Sequence, residues 1–160
     1  MSAWWTYSLS DFLLFSPQTY YRLFELYNRS IWPAHIPGFA LGFTILWLLK
    51  ADVARGRWIS LILAACWLWT AWGFHWRWYQ SINWSSVYFA MGFGLEALLI
   101  LWTGLIRGRL GVASSRPLFR WSGIILFLFA LVIQPLIRPM LGREWVAVEL
   151  FGLAPDPTDR

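Results

Sequence analysis

Six side chains in this sequence have types that do chemistry yet lie inside or at the edge of runs of about 20 mostly apolar residues: Glu96, Thr70, His35, His75, Gln134 and Arg138. Glu96 is the sharpest case, because an ionised carboxylate amid hydrocarbon is poorly solvated and must be neutral or paired. It could serve as a proton or cation site; the plainer role is a protonated acid hydrogen-bonded between helices. Thr70 falls at a similar depth on the preceding apolar run. His35, His75, Gln134 and Arg138 form a shallower group. Two imidazoles at matching depth on different helices could ligate a b-type haem or a metal. They are only a partial shell for zinc, however, and no HxxxH or ExxH spacing accompanies them. A histidine hydrogen-bonded near headgroups is the commoner arrangement, and Arg138 is expected to snorkel toward an aqueous boundary.

The elements that must carry these residues are readable from composition. Of 160 residues, 59% are hydrophobic and 13% charged, about half the charge of an ordinary soluble domain. The apolar residues gather into blocks at about 30–49, 58–79, 87–106 and 121–141, each long enough to cross a bilayer as a helix. The expected fold is therefore all-α: a bundle of four transmembrane helices over 30–141, preceded by an N-terminal arm (1–29) and followed by an extramembrane tail (142–160). Within the arm, Ser16-Pro17 is a good helix start, with serine as cap and proline at the first helical position. The segment after it alternates aromatic and charged residues at helical spacing, with Glu25 and Arg29 four apart, which predicts an amphipathic interfacial helix. Of the fourteen tryptophans, Trp32, Trp58, Trp76, Trp78, Trp102 and Trp121 fall near span ends, where an indole is best solvated. Trp67 and Trp69 lie deeper and need another explanation.

Charge sets the orientation. The two basic loops, 50–57 and 107–120, hold Lys50, Arg55, Arg57, Arg107, Arg109, Arg116 and Arg120 against the single acid Asp52. Cations and acids balance on the opposite side. By the positive-inside rule the basic loops are cytoplasmic and both termini lie outside, in a cytoplasmic (inner) membrane. The chain's excess of positive charge is thus a matter of topology and calls for no nucleic-acid partner.

Small and weakly polar residues mark candidate helix-packing faces: Cys66, Thr70, Gly73 and Arg77 on the second span, Gly38 and Gly42 on the first, Gly104 and Gly108 on the third. Trp69, Trp72 and Trp76 form an aromatic stripe suited to packing, with pigment or quinone stacking as the rarer use. The lone Cys66 can form no internal disulfide and no CxxC site. Phosphate-binding loops, a nucleophile elbow and an HExxH metal motif are all missing from the sequence. No catalytic residue, metal or cofactor is expected, with haem b as the alternative.

The stretch at residues 10–28, SDFLLFSPQTYYRLFELYN, together with Trp32-Pro33, Ile82-Asn83-Trp84 and residues 151–158, resembles an uncharacterised bacterial inner-membrane family. That family is a domain of unknown function sometimes labelled permease-like. The resemblance implies a multi-pass bacterial membrane protein and carries over no catalytic residues. It also implies further hydrophobic helices beyond the APDPT segment, where this chain stops at Arg160, as a short member or a truncated form would. Three functions are compatible with these features. The first is a non-enzymatic accessory or assembly subunit, partnered by lipid and by other membrane subunits or itself. The second is a small permease or ion pathway using Glu96. The third is a haem- or quinone-linked redox subunit using His35 and His75.

Overall fold

The computed structural model describes residues 16–49, 53–110, 117–140 and 152–153, and every regular element among them is helical. Residues 1–15, Lys50, Asp52, Arg116 and most of the tail lie outside the described residues, as do the side chains of Arg138 and Pro139.

Helix α1 (Pro17–Ile31) begins where serine and proline require it. The Ser16 hydroxyl accepts a hydrogen bond from the Thr19 N–H at 3.3 Å, and Pro17 opens the helix without a donor to satisfy. One face carries Arg22, Glu25 and Arg29, with Glu25 bridging both arginines at 2.7 and 2.8 Å. The arginines are exposed, so the pairs contribute at most about 1 kcal/mol. The other face carries Tyr20, Leu23, Phe24 and Tyr27, all buried.

A sharp break of 88° separates α1 from α2 (His35–Leu48) at residues 32–34. Pro33 supplies the reason, since it has no N–H to continue α1 and restricts the residue before it. The break falls within the expected first span, 30–49. Helix α2 alone has 14 residues, about 21 Å of rise, short of a hydrocarbon core of about 30 Å.

The next two elements are long. Helix α3 (Val53–Trp69) continues as a π-helical segment (Thr70–Trp76) and closes in a 3-10 turn (Tyr79–Ser81). Helix α4 (Ser86–Ile100) continues as a π segment (Leu101–Ile106). The two form an antiparallel hairpin: α3 packs along α4, the α3 π segment lies against α4, and the α4 π segment lies against α3. The hairpin turn is tied by Asn83, whose side-chain oxygen accepts from the Ser85 N–H at 3.0 Å and the Ser85 hydroxyl at 2.6 Å. At the opposite end, Gly104 touches the buried Ser60 so closely that no Cβ fits there. Gly108, with φ of 60°, takes the left-handed conformation that ends the helical run.

Helix α5 (Pro117–Leu128) runs through a third π segment (Phe129–Ile133) into α6 (Gln134–Met140). It meets α2 where Leu131 fills the space over Gly42, again too near for a side chain at that glycine. Otherwise it is sparsely covered. Three continuous helical stretches are long and apolar enough to cross a membrane: Arg55–Ser81, Ser86–Ile106 and Arg120–Ile137. The bent pair α1–α2 makes a fourth if it is counted as one span. Within the 18 most apolar residues of each stretch the share buried falls from 39% to 17% to 11%, so α3 is the centre of the bundle and α4 and α5 present most of their surface outward.

Candidate functional site: polar groups of the apolar helices

The α1 aromatic face docks on the end of α3 nearest the hairpin turn. Tyr20, Leu23, Phe24 and Tyr27 close over Phe74, with Ile31, Trp78, Tyr79 and Ile82 packed around them. The rings meet mostly edge-on or tilted, as their quadrupoles prefer: Phe24 on Phe74 at 4.8 Å and Tyr27 on Phe74 at 5.3 Å between centroids. Tyr27 is fully buried, and its hydroxyl is satisfied twice. It donates to the Leu153 carbonyl and accepts from the Trp69 indole N–H at 2.9 Å. This explains a deep tryptophan: Trp69 has a hydrogen-bond partner inside the protein. Trp67, the other, lies against Phe93 at 4.7 Å.

His75 sits at the edge of this corner, on the π segment, and is only 4% exposed. Phe74, Tyr79, Phe89 and Phe93 surround its ring at centroid distances of 4.8 to 5.8 Å. Neither ring nitrogen has a hydrogen-bond partner among the described residues. Its backbone carbonyl does have one, the Ser86 hydroxyl of α4 at 2.6 Å. His35 is half-buried beside Trp32, with ring centroids 5.8 Å apart and a buried, unpartnered Nδ1. The two imidazoles have different ring neighbours, Trp32 for His35 and Phe74, Tyr79, Phe89 and Phe93 for His75. Among the described residues, no group of three His, Cys, Asp or Glu could hold a metal ion.

Thr70 is buried and its hydroxyl donates to the Cys66 carbonyl at 3.0 Å. That is the usual back-bond of a helical threonine to the carbonyl four residues before it, and it leaves the hydroxyl satisfied within its own helix. Cys66 is buried against Gly152, whose φ of 74° suits glycine alone. Gly73 lies under the Trp69 ring of its own helix. Arg77 departs from this buried stripe: it is exposed and stacks on Trp72 at 5.2 Å. The same device recurs at the opposite helix ends, with Arg55 over Trp47 at 5.3 Å and Arg107 over Trp102 at 5.2 Å. Gly38 and Gly42 are buried on α2. Gln134 is half-buried and has a partner.

Glu96 is placed apart from all of these. The buried stripe of α4 is Ser86, Ala90 and Ala97, continuing to Gly104. Glu96 lies off that stripe, at the middle of the Ser86–Ile106 helix, and its side chain is exposed. It makes no hydrogen bond or ion pair with any described residue. Gly92, one turn before it, has nothing within 4 Å of where a Cβ would stand. Gly92, Glu96 and Leu99 therefore share an outward face, with the half-exposed Thr103 completing it.

Sequence reasoning did not find the Tyr27–Trp69–Leu153 bonds, the Ser86 bond to the His75 carbonyl or the Ser60–Gly104 contact. Only the helical spacing of Tyr20, Phe24 and Tyr27 announced the first of these, as an aromatic face in need of cover.

No curated protein and no solved structure matches the chain. A family described only as one of unknown function, DUF6064, matches over residues 17–159, and the chain belongs to it.

Proposed function

We propose that this is a multi-pass membrane protein that acts by contact, as a non-enzymatic subunit of a larger membrane assembly. The observation that carries this reading is the outward-facing Glu96 at the centre of α4. A charged group at the middle of a membrane helix costs about 3 kcal/mol on insertion scales. Nothing among the described residues offsets that cost, and the exposed carboxyl is open to a partner from outside the bundle. The sparse cover of α4 and α5 supports the same conclusion, because two helices that give so little surface to their own bundle have surface left for another. The Arg–Trp pairs at both helix ends suit the two membrane boundaries. With the basic loops cytoplasmic, the hairpin turn and the aromatic corner face outward from the cell.

A conducting path through the bundle would need polar groups directed inward along a shared line. Glu96 faces outward, the buried hydroxyls of Ser60, Thr70 and Ser86 are bonded to backbone carbonyls, and the buried His75 ring is enclosed by aromatic side chains. The contact reading therefore has the better support. Native-size measurement after gentle solubilisation tests it. Wild type is expected to run as an assembly larger than one chain, and Glu96→Leu as the single chain. A wild-type protein that is solitary under every gentle condition would contradict the reading.

A further inference from the structure

We infer that two Arg-Gly-Arg tripeptides, Arg55-Gly56-Arg57 and Arg107-Gly108-Arg109, meet across the α3–α4 hairpin and form one binding site for the phosphate of an anionic phospholipid. The inference goes beyond the contact reading above and rests only on its membrane placement.

The pairing follows from the packing of the hairpin. Gly104 stands against the Ser60 side chain. In an antiparallel pair, one further turn toward the open end brings Gly56 opposite Gly108. Gly56 is buried, and its carbonyl accepts from the Ser60 hydroxyl at 2.7 Å. Small residues on both helices let the backbones come close here. Gly108 takes the left-handed turn, the Arg109 N–H donates back to the Thr103 carbonyl at 3.0 Å, and Leu110 returns onto Gly104. Residues 107–110 are thereby folded over the seam that Gly56 closes, and each glycine brings the arginines beside it to the same end of one helix pair.

These four arginines have no acid of the chain to neutralise them. The described acids are Glu25, bonded to Arg22 and Arg29, and the mid-helix Glu96. The two basic loops hold only Asp52 against seven cations. Arg55 stacks on Trp47 and Arg107 on Trp102. Stacking holds a guanidinium by its face and leaves the in-plane N–H groups for phosphate oxygens. Arg57 and Arg109 are exposed beside them. Trp58, Trp102 and Ile106 expose apolar surface at the same end, which acyl chains can cover and a free phosphate cannot. Tryptophans near span ends mark the level of the headgroups, and basic sites between membrane helices at that level take acidic headgroups. The other end of the hairpin carries one arginine, Arg77.

Native mass spectrometry of the full chain, equilibrated in mild detergent with equal amounts of phosphatidylglycerol and phosphatidylcholine, tests this. Wild type is expected to retain phosphatidylglycerol in preference, by about tenfold or more. Arg57→Gln combined with Arg109→Gln should lose most of that preference, and lysine at both positions, which keeps the charge, should hold most of it. Arg77→Gln should match wild type. Equal retention of the two lipids by wild type would overturn the inference, as would a preference undiminished by glutamine at 57 and 109 or equally lost in Arg77→Gln. Displacement of the lipid by sodium phosphate, beyond that by sodium chloride of the same ionic strength, would make free phosphate the occupant and overturn the lipid. Alkaline extraction of native membranes reads the placement separately. A chain that stays with the membrane yet shows no lipid preference overturns the site alone, and a chain released from the membrane overturns the placement and the site together.

Discussion

Two regions of this molecule treat polar groups in opposite ways. In the corner where α1 closes on the end of α3, polar atoms are enclosed among aromatic rings, and Tyr27 is bonded on both sides within the chain. On the outward face of α4, Glu96 stands at mid-helix with no partner among the described residues. At Tyr27 the chain satisfies its own polar atoms; at Glu96 no described residue does. A polar group in an apolar helix is therefore informative about function only once its orientation is known: the inward Tyr27, Thr70 and Ser86 hydroxyls tie helices and backbone together, and the outward Glu96 does not.

The largest expected effect contrasts two glycines on the same helix. Gly104→Leu must displace Ser60 and Leu110 at the α3–α4 seam, costing about 3 kcal/mol or more of stability. A Cβ at Gly92 meets no atom within 4 Å, so Gly92→Leu should leave the unfolding temperature of the single chain in mild detergent within a few degrees of wild type while weakening its association with a partner. Equal destabilisation by both would erase the distinction between seam and open face. A smaller loss is expected for Tyr27→Phe, which strands the Trp69 indole N–H and the Leu153 carbonyl, at about 1–3 kcal/mol in the same thermal unfolding measurement. The smallest effect, and opposite in sign, is expected for His75→Phe. Replacing an imidazole with two unpartnered nitrogens by a ring that fits the aromatic surroundings should leave stability unchanged or raise it by about 1 kcal/mol. A marked loss would mean that the imidazole has a partner, such as a bound molecule, and that the corner is not closed by one chain.

Part of this architecture is legible in the amino-acid sequence alone. The start of α1 follows from Ser16-Pro17, and its amphipathic face from the spacing of Tyr20, Phe24 and Tyr27 against Arg22, Glu25 and Arg29, because caps and alternating faces are local. The polar turn around Asn83 is legible for the same reason. The direction of Glu96 is not. Helix α4 is apolar on every side, so its hydropathy carries no record of which face is covered. The similar depth of His35 and His75 gives no sign of which rings each packs against, since depth fixes one coordinate and packing fixes the others. The Tyr27–Leu153 bond joins residues 126 apart, and no local pattern announces such a pair. The bend at residues 32–34 is foreshadowed by Pro33, yet the run of apolar residues across it reads as one continuous span.

The central claim is that protein, not lipid, covers the Glu96 face of α4. Nitroxide labels placed singly along α4 in membranes, with relaxation by dissolved oxygen as the readout, measure contact with lipid position by position. Labels at 92 and 99 are predicted to be shielded, as those on the buried positions 90 and 97 are, while labels at 91 and 98 are fully accessible to oxygen. Accessibility at 92 and 99 equal to that at 98 would show that lipid covers this face and would contradict the account.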